Sequence, residues 1–392
     1  MSAPKDKPGL PLFTQFNFET GALGRHSIDD LQRVLAGKTV DVNFSVGDES
    51  FGLNGKTNRK NLQAQFQLLA AFLSDPGWRE DGLARFKMSL PMIYQQVNHT
   101  PEGMMRAKAD AFTHGDDYRF IFPAQEELKA RTMAEMKAWL EPQLKSGYLE
   151  IGVVGDLDVQ EVISAAAATV GALPPRAMER TNTDALRTLA FPKGTPEKEF
   201  AFDSKIPKST ALVFWPTTDR MKDIKLSRQL NLVAGILSDR VRLKVREELG
   251  ESYSPDVASM MSDTWPGYGQ LMAMMTAESK DAKELTDIAR KLGAELAAKG
   301  ASADELDRAR KPMLTALEEQ RRNNTYWLGT VVTPSQSKPE RLDWARTMIA
   351  DFTTVSLEDI NRLAKQYLGA ETATAVRVIS TGKAPEDEKK EK

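Results

Sequence analysis

The chain has 392 residues, 41% hydrophobic and 28% charged, with a formal net charge of −2. That length suggests two domains or a few more at roughly 100–200 residues each, and the composition is globular rather than disordered. The charge balance offers no basic excess for holding a nucleic-acid backbone, and the absence of cysteine excludes disulfides, thiol catalysis and thiolate metal sites.

No apolar run approaches the roughly 20 residues that a membrane span needs. The N-terminal stretch MSAPKDKPGLPLFTQ has no apolar core of the signal-peptide kind. Periplasm and cytoplasm both fit, so the compartment stays open.

In chain order, an apolar stretch, PLFTQFNFETGAL, precedes a helix over HSIDDLQRVLAG. The run TVDVNFSVGDESFGLNGKT then places Val40, Val42, Phe44 and Val46 on one face, as a half-buried strand requires, with VGDES as a hairpin turn. A helix over RKNLQAQFQLLAAFLSD stops at Pro76 and Gly77. A long helix is expected from Trp78 through Gly103, and another over TMAEMKAWLEPQL. A strand, YLEIGVVGD, and a helix, VQEVISAAAATVGAL, follow. The GD turn after that strand lacks the G-x-G-x-x-G pattern of a dinucleotide site, so a plain strand-to-helix turn accounts for it.

The same order recurs at an offset of roughly 220–225 residues. The second copy has a strand STALVFWPTT and a helix LSRQLNLVAGILSDRVRLKVREEL. A hairpin follows around DTWPGYG, then a helix ending on Gly300 and a long helix from Ser302. SLEDINRLAKQYL and the strand TATAVRVIS close it. Thr132 with Glu135 and Ser356 with Asp359 form matching capping boxes, in which side chain and backbone satisfy each other's orphan groups, and Ser302 with Glu305 forms a third.

These runs of strands and helices argue for an α+β fold: two duplicated domains, each a mainly antiparallel sheet with helices packed on one face. The expected boundaries are 1–185 and 186–382, followed by a charged disordered tail over 383–392. The second copy has a strand, KEFAFDSKI, ahead of its opening strand. Nothing comparable precedes PLFTQFNF, so the first sheet is expected to lack a front strand and to be trimmed or completed from elsewhere.

Candidate chemistry is sparse. His26, His99 and His114 are the three histidines; none has the histidine partner four residues away that a helical H-x-x-E-H zinc site demands. His114, Asp116 and Asp117 in THGDDYRF could ligate a divalent ion, although a solvated turn is the simpler account. No G-x-S-x-G elbow is present. Arg246 and Tyr253 flank Gly250 in RLKVREELGESYSP. On residues alone they read as a helix ending at a glycine with two polar neighbours. In a shared cleft, the guanidinium fork and the phenol would instead serve as donors to a substrate carbonyl or an oxyanion.

LSDRVRLKVREELGESYSP resembles the Arg/Tyr segment of the insulinase–pitrilysin (inverzincin) zinc metallopeptidases, and GALGRHSIDDLQRVLAGK, LLAAFLSDPGW, LEIGVVGDLD and PGYGQLMAMM are similar to segments of large bacterial members. The resemblance runs from about residue 10 to 382. It departs at one point: the family's H-x-x-E-H motif, carried by its N-terminal half, is absent. The resemblance therefore implies a non-catalytic C-terminal half or subunit of a zinc endopeptidase, with mitochondrial processing peptidase-type domains. It implies no metal in this chain and zinc in the H-x-x-E-H-bearing partner half. Arg246 and Tyr253 would bind a peptide or small unfolded protein substrate and support its tetrahedral intermediate. The alternative is an inactive member serving as a scaffold or interaction module, like the core proteins of the respiratory cytochrome complex.

Overall fold

The computed structural model describes residues 3–192, 194, 197–249 and 255–385. The chain splits into two compact units. Unit 1 contains Met1–Met92, Pro123–Leu186 and Asn323–Leu342; unit 2 contains Ile93–Phe122, Arg187–Arg322 and Asp343–Lys392. Each sequence half thus lends one segment to the other unit.

Unit 1 is mostly helical. The apolar opening becomes a helix, α1 (Leu10–Asn17), with Pro11 in its first turn and Leu10, Phe13, Thr14 and Asn17 buried. Their spacing of three, four and seven is the inward stripe of a helix. Phe13 meets Phe86 edge-on at 5.5 Å, and Phe18 packs on Phe44 with centroids 4.4 Å apart. Helix α2 (Ile28–Leu35) starts at a capping box between Ser27 and Asp30.

The expected hairpin forms as two four-residue strands, β1 (Asn43–Val46) and β2 (Phe51–Asn54), paired antiparallel from Asn43↔Asn54 to Val46↔Phe51. Phe44 is buried and Val40, Val42 and Val46 are half-buried, so the alternation holds although the ladder begins only at Asn43. The outer edge of β1 is closed by side chains. Val46 N–H donates to Gln15 Oε1 at 2.8 Å, Gln15 Nε2 donates to Phe44 O at 2.6 Å, and Phe44 N–H donates to Glu19 Oε1.

Helix α3 (Leu62–Ser74) follows, then α4 (Leu83–His99) with Pro91 inside it. The expected long helix is shorter at both ends. Residues 78–82 are not helical, and Thr100 restarts a new turn by capping Gly103 N–H. Helix α5 (Met133–Ser146) opens on the Thr132–Glu135 capping box, and α6 (Val159–Ala167) on Asp158, which accepts from Gln160 and Glu161. Between them, the expected strand YLEIGVVGD has no ladder partner among the described residues. Side-chain alternation alone does not make a strand; a neighbouring backbone must be in reach.

Unit 2 holds a five-stranded sheet in the order β3-β7-β4-β6-β5. The strands are β3 (Glu197–Phe202), β4 (Lys208–Pro216), β5 (Asp256–Met261), β6 (Gly269–Glu278) and β7 (Thr374–Ser380). Only β3–β7 is parallel; β7–β4, β4–β6 and β6–β5 are antiparallel. Leu212, Phe214, Val376 and Val378 face one side, packed with Met104 and Ala109 of the lent segment 93–122. Trp215 faces the other side, against Gly293, where a Cβ would lie 2.7 Å from the indole. That side carries α7 (Ile224–Leu249), α8 (Ala282–Lys299) and α11 (Leu357–Tyr367), the last opening on the Ser356–Asp359 capping box. Helix α9 (Ala303–Gln320) starts at the Ser302–Glu305 box, and α10 spans Glu340–Thr354.

The duplication leaves further marks. Pro91 lies inside α4 and Pro312 inside α9, 221 positions apart. Two π-helical turns, Met105–Ala109 and Trp327–Val332, start 222 positions apart. Each falls in the segment that its half lends to the other unit.

Candidate functional site

Helix α7 is a 26-residue helix. Leu230, Val233, Leu237, Val241 and Val245 are fully buried, and their repeated three- and four-residue spacing makes one inward stripe. Arg246 directly follows the last of them, one helical step of about 100° away, and is exposed. It makes no hydrogen bond or ion pair with another described residue. Its basic neighbours differ: Lys244 bridges Glu248 at 2.8 Å, and Arg242 bridges Asp239 at 2.5 Å. Arg246 therefore ends the helix with its guanidinium uncommitted to the described part of the chain. Gly250 and Tyr253 lie outside the described residues, and so does the geometry of the Arg/Tyr pair.

The histidines are not gathered. His99 Nδ1 lies 2.7 Å from Asp203 O. His26 forms a backbone bridge with Leu23. His114 Nδ1 lies 2.7 Å from the Asp110 carbonyl and 3.2 Å from its carboxylate. In the HGDD turn Gly115 and Asp116 are exposed, as a solvated turn requires, while His114 and Asp117 are half-buried. The imidazole is 14% exposed, stacked on Phe120 at 3.8 Å and on Tyr268 at 5.1 Å, with Phe191 beyond Tyr268 at 4.5 Å.

Tyr268 donates to Thr113 O at 3.0 Å, and burial pushes its phenol well above the ordinary range. The Asp117 carboxylate is taken by Arg119, with both oxygens at 2.7 Å. Burial acts to raise that carboxyl, but the Arg119 bonds outweigh it and hold it below its usual value. Asp116 occupies a left-handed turn position at φ 57°. His114 and Asp117 are thus tied to neighbouring groups while Asp116 is exposed, and no group of three or more His, Asp or Glu placed to hold a metal occurs among the described residues. These donors do not fit a zinc ion.

What sequence reasoning missed here is the aromatic stack. Tyr268 and Phe191 are far from His114 in the chain, and no local pattern links them.

Part of the chain is similar to a known family. Residues 132–313 match the family model described as Peptidase M16 inactive domain. The chloroplastic stromal processing peptidase of Oryza sativa subsp. indica is 21% identical over 416 residues, covering 94% of this chain and 33% of that protein. The chain thus spans about a third of the length of the curated relatives it matches. Among solved structures, the peptidase M16 inactive domain from Pseudomonas fluorescens has a TM-score of 0.71 at 18% identity, covering 97% of this chain and 90% of that one. The periplasmic protease PqqL from Escherichia coli has a TM-score of 0.74 at 16% identity, covering 97% of this chain and 41% of that one. Residues 132–313 are thus similar to the inactive domain of the M16 peptidases, and the chain shares the fold of solved M16 structures.

Proposed function

We propose that the chain is the non-catalytic half, or a separate subunit, of a zinc-dependent endopeptidase. It completes a peptide-binding chamber and offers Arg246 and Tyr253 to the substrate. The observation that carries this reading is the M16 inactive-domain match, whose 132–313 span includes both residues. The exposed Arg246 at the end of α7 supports it. A guanidinium presents five N–H donors in a planar fork suited to a carbonyl or carboxylate. A phenol adds one more.

The partner half would supply a metal-activated water and its carboxylate base. This chain's part is to bind and orient. Arg246 and Tyr253 would donate to the substrate carbonyl as its oxygen gains negative charge. Donors of this kind typically contribute about 2.7–4 kcal/mol each, or 10²–10³ in kcat. The substrate would be a peptide or small unfolded protein.

The test is reconstitution. This chain is mixed with an H-x-x-E-H-bearing M16 half and assayed on a quenched peptide. Cleavage is expected in the mixture only. Arg246→Ala and Tyr253→Phe should each lower kcat about 100-fold with the melting temperature unchanged. A silent mixture, or variants that cleave normally, would favour the scaffold reading. Stoichiometric zinc in the isolated chain would overturn the division of labour.

A further inference from the structure

Strands β5 and β6 of unit 2 each carry two adjacent methionines, Met260–Met261 and Met274–Met275. Successive residues of a strand point to opposite faces, and burial follows that rule. Met261 and Met275 lie on the Trp215 face and are 7% and 0% exposed, whereas Met260 and Met274 are 52% and 46% exposed. With no cysteine in the chain, oxidation of sulfur falls on thioethers alone, and it favours those within reach of the oxidant.

The two exposed thioethers have different neighbours. Met274 stands opposite Asp256, and Met260 stands opposite Gln270. Directly opposed residues of an antiparallel pair share a face, with Cβ atoms about 4.5–5.5 Å apart. Asp256 is exposed and solvated. Gln270 is 4% exposed, and its Oε1 is buried without a hydrogen-bond partner. Its amide nitrogen makes no hydrogen bond with a described residue either. The two ends of a primary amide exchange by a half-turn, so either end suits the Met260 side. A thioether is only a weak acceptor, and a buried amide left unpaired is destabilising. The reduced pair therefore lacks one good hydrogen bond.

We propose that Met260 is a reversible oxidation site whose sulfoxide is held by the side-chain amide of Gln270. The co-reactant is a peroxide. A lone pair of Met260 Sδ attacks one peroxide oxygen, the O–O bond breaks, and that oxygen stays on sulfur. With hydrogen peroxide, the leaving hydroxide takes the proton of the transferred oxygen and departs as water. Sulfur is oxidised by two electrons and the peroxide is reduced. The new oxygen is a strong acceptor, and Gln270 N–H donates to it, so oxidation supplies the partner that the buried amide lacks. A methionine sulfoxide reductase drawing on a dithiol restores the thioether; the dithiol becomes a disulfide and the oxygen leaves as water. Met274 has no equivalent arrangement, because the carboxylate opposite it offers no donor.

The test uses the full chain with Met88, Met92, Met178 and Met274, the other exposed methionines among the described residues, replaced by leucine. Hydrogen peroxide is added and mass mapping of peptides follows each sulfoxide. Met260 should react at least about tenfold faster than Met261, which is reached only by local opening. Oxidation at Met260 should leave the melting temperature unchanged, whereas the same oxidation in a Gln270→Leu chain should lower it by about 2–4 °C. If Gln270→Leu does not fold, hydrogen exchange of the Gln270 side-chain amide decides, read by NMR with Gln270 in place. Oxidation should slow it about tenfold. Met260 reacting no faster than Met261 overturns the site. Equal losses of melting temperature with and without the amide, or unchanged exchange of the Gln270 protons, overturn the hold on the sulfoxide.

Discussion

The sheet of unit 2 and the strand-like pieces of unit 1 make an instructive pair. In unit 2, β4 sits between β7 and β6, and Ala211–Trp215 are essentially excluded from solvent. In unit 1, the β1–β2 hairpin has four residues per strand, and the stretch 148–154 has no ladder among the described residues. The local compositions are alike: β-branched and apolar residues are frequent in both. What differs is whether another backbone lies alongside. Strand formation is a property of the neighbourhood, whereas a helix closes its own hydrogen bonds.

The sharpest way to break this contrast is to cut the same kind of contact in each unit. Trp215→Ala, in the filled sheet, should cost about 3–5 kcal/mol, whereas Ile151→Ala, on the unladdered stretch, should cost less than about 0.5 kcal/mol. Urea unfolding of the two variants decides it; equal losses would mean that 148–154 is packed like β7. Ion pairs give a second contrast. Arg228 in α7 is 6% exposed and Asp351 10%, with Arg228 also bonded to Thr347 and the Trp344 carbonyl. Asp351→Ala should cost about 3–5 kcal/mol by stranding a buried cation. The Arg59–Glu161 pair of unit 1 is 65% and 50% exposed. Exposed pairs contribute little and are screened by salt, so Glu161→Ala should leave the urea midpoint unchanged.

The duplicated capping boxes should behave alike. Thr132→Ala and Ser356→Ala remove equivalent caps, and each should cost about 1 kcal/mol. Calorimetry showing clearly unequal losses would separate the two repeats energetically. The smallest effect concerns pH. The hydrogen bonds from Arg240, then those from Ser302, bring the Glu305 carboxyl from 4.5 down to about 2 despite partial burial. A depressed folded value means that this stabilisation is present above about pH 4.5 and is lost as pH falls toward 2. Glu305→Gln should flatten the pH dependence of the melting temperature across that window.

Much of this architecture could be read directly. The three expected capping boxes lie within three residues of chain, so both partners are visible at once. Gly300 ends α8 at φ 75°, as a helix-stop glycine should. The Pro91–Pro312 correspondence was equally open to inspection: both prolines precede a methionine. PLFTQFNF belongs to α1 because its buried residues fall at helical spacing.

The exchange of segments 93–122 and 323–342 could not be read, nor could the π turns within them. Those depend on which surface each helix meets after the chain has collapsed. Arg246 was legible as a helix-terminal cation. Its exposure is what the structure adds, while Tyr253 lies outside the described residues.

The closed edge of β1 has a consequence for how this protein behaves in concentrated solution. With Gln15 bonded to Val46 and Phe44, and Glu19 to Phe44, the outward groups of β1 are already taken. Fibrillar growth needs a bare row of such groups as its seed. The β1 edge is therefore a poor nucleus, because the groups an added strand would need are already bonded. Two side chains from the opening helical stretch thus deny that edge to an added strand.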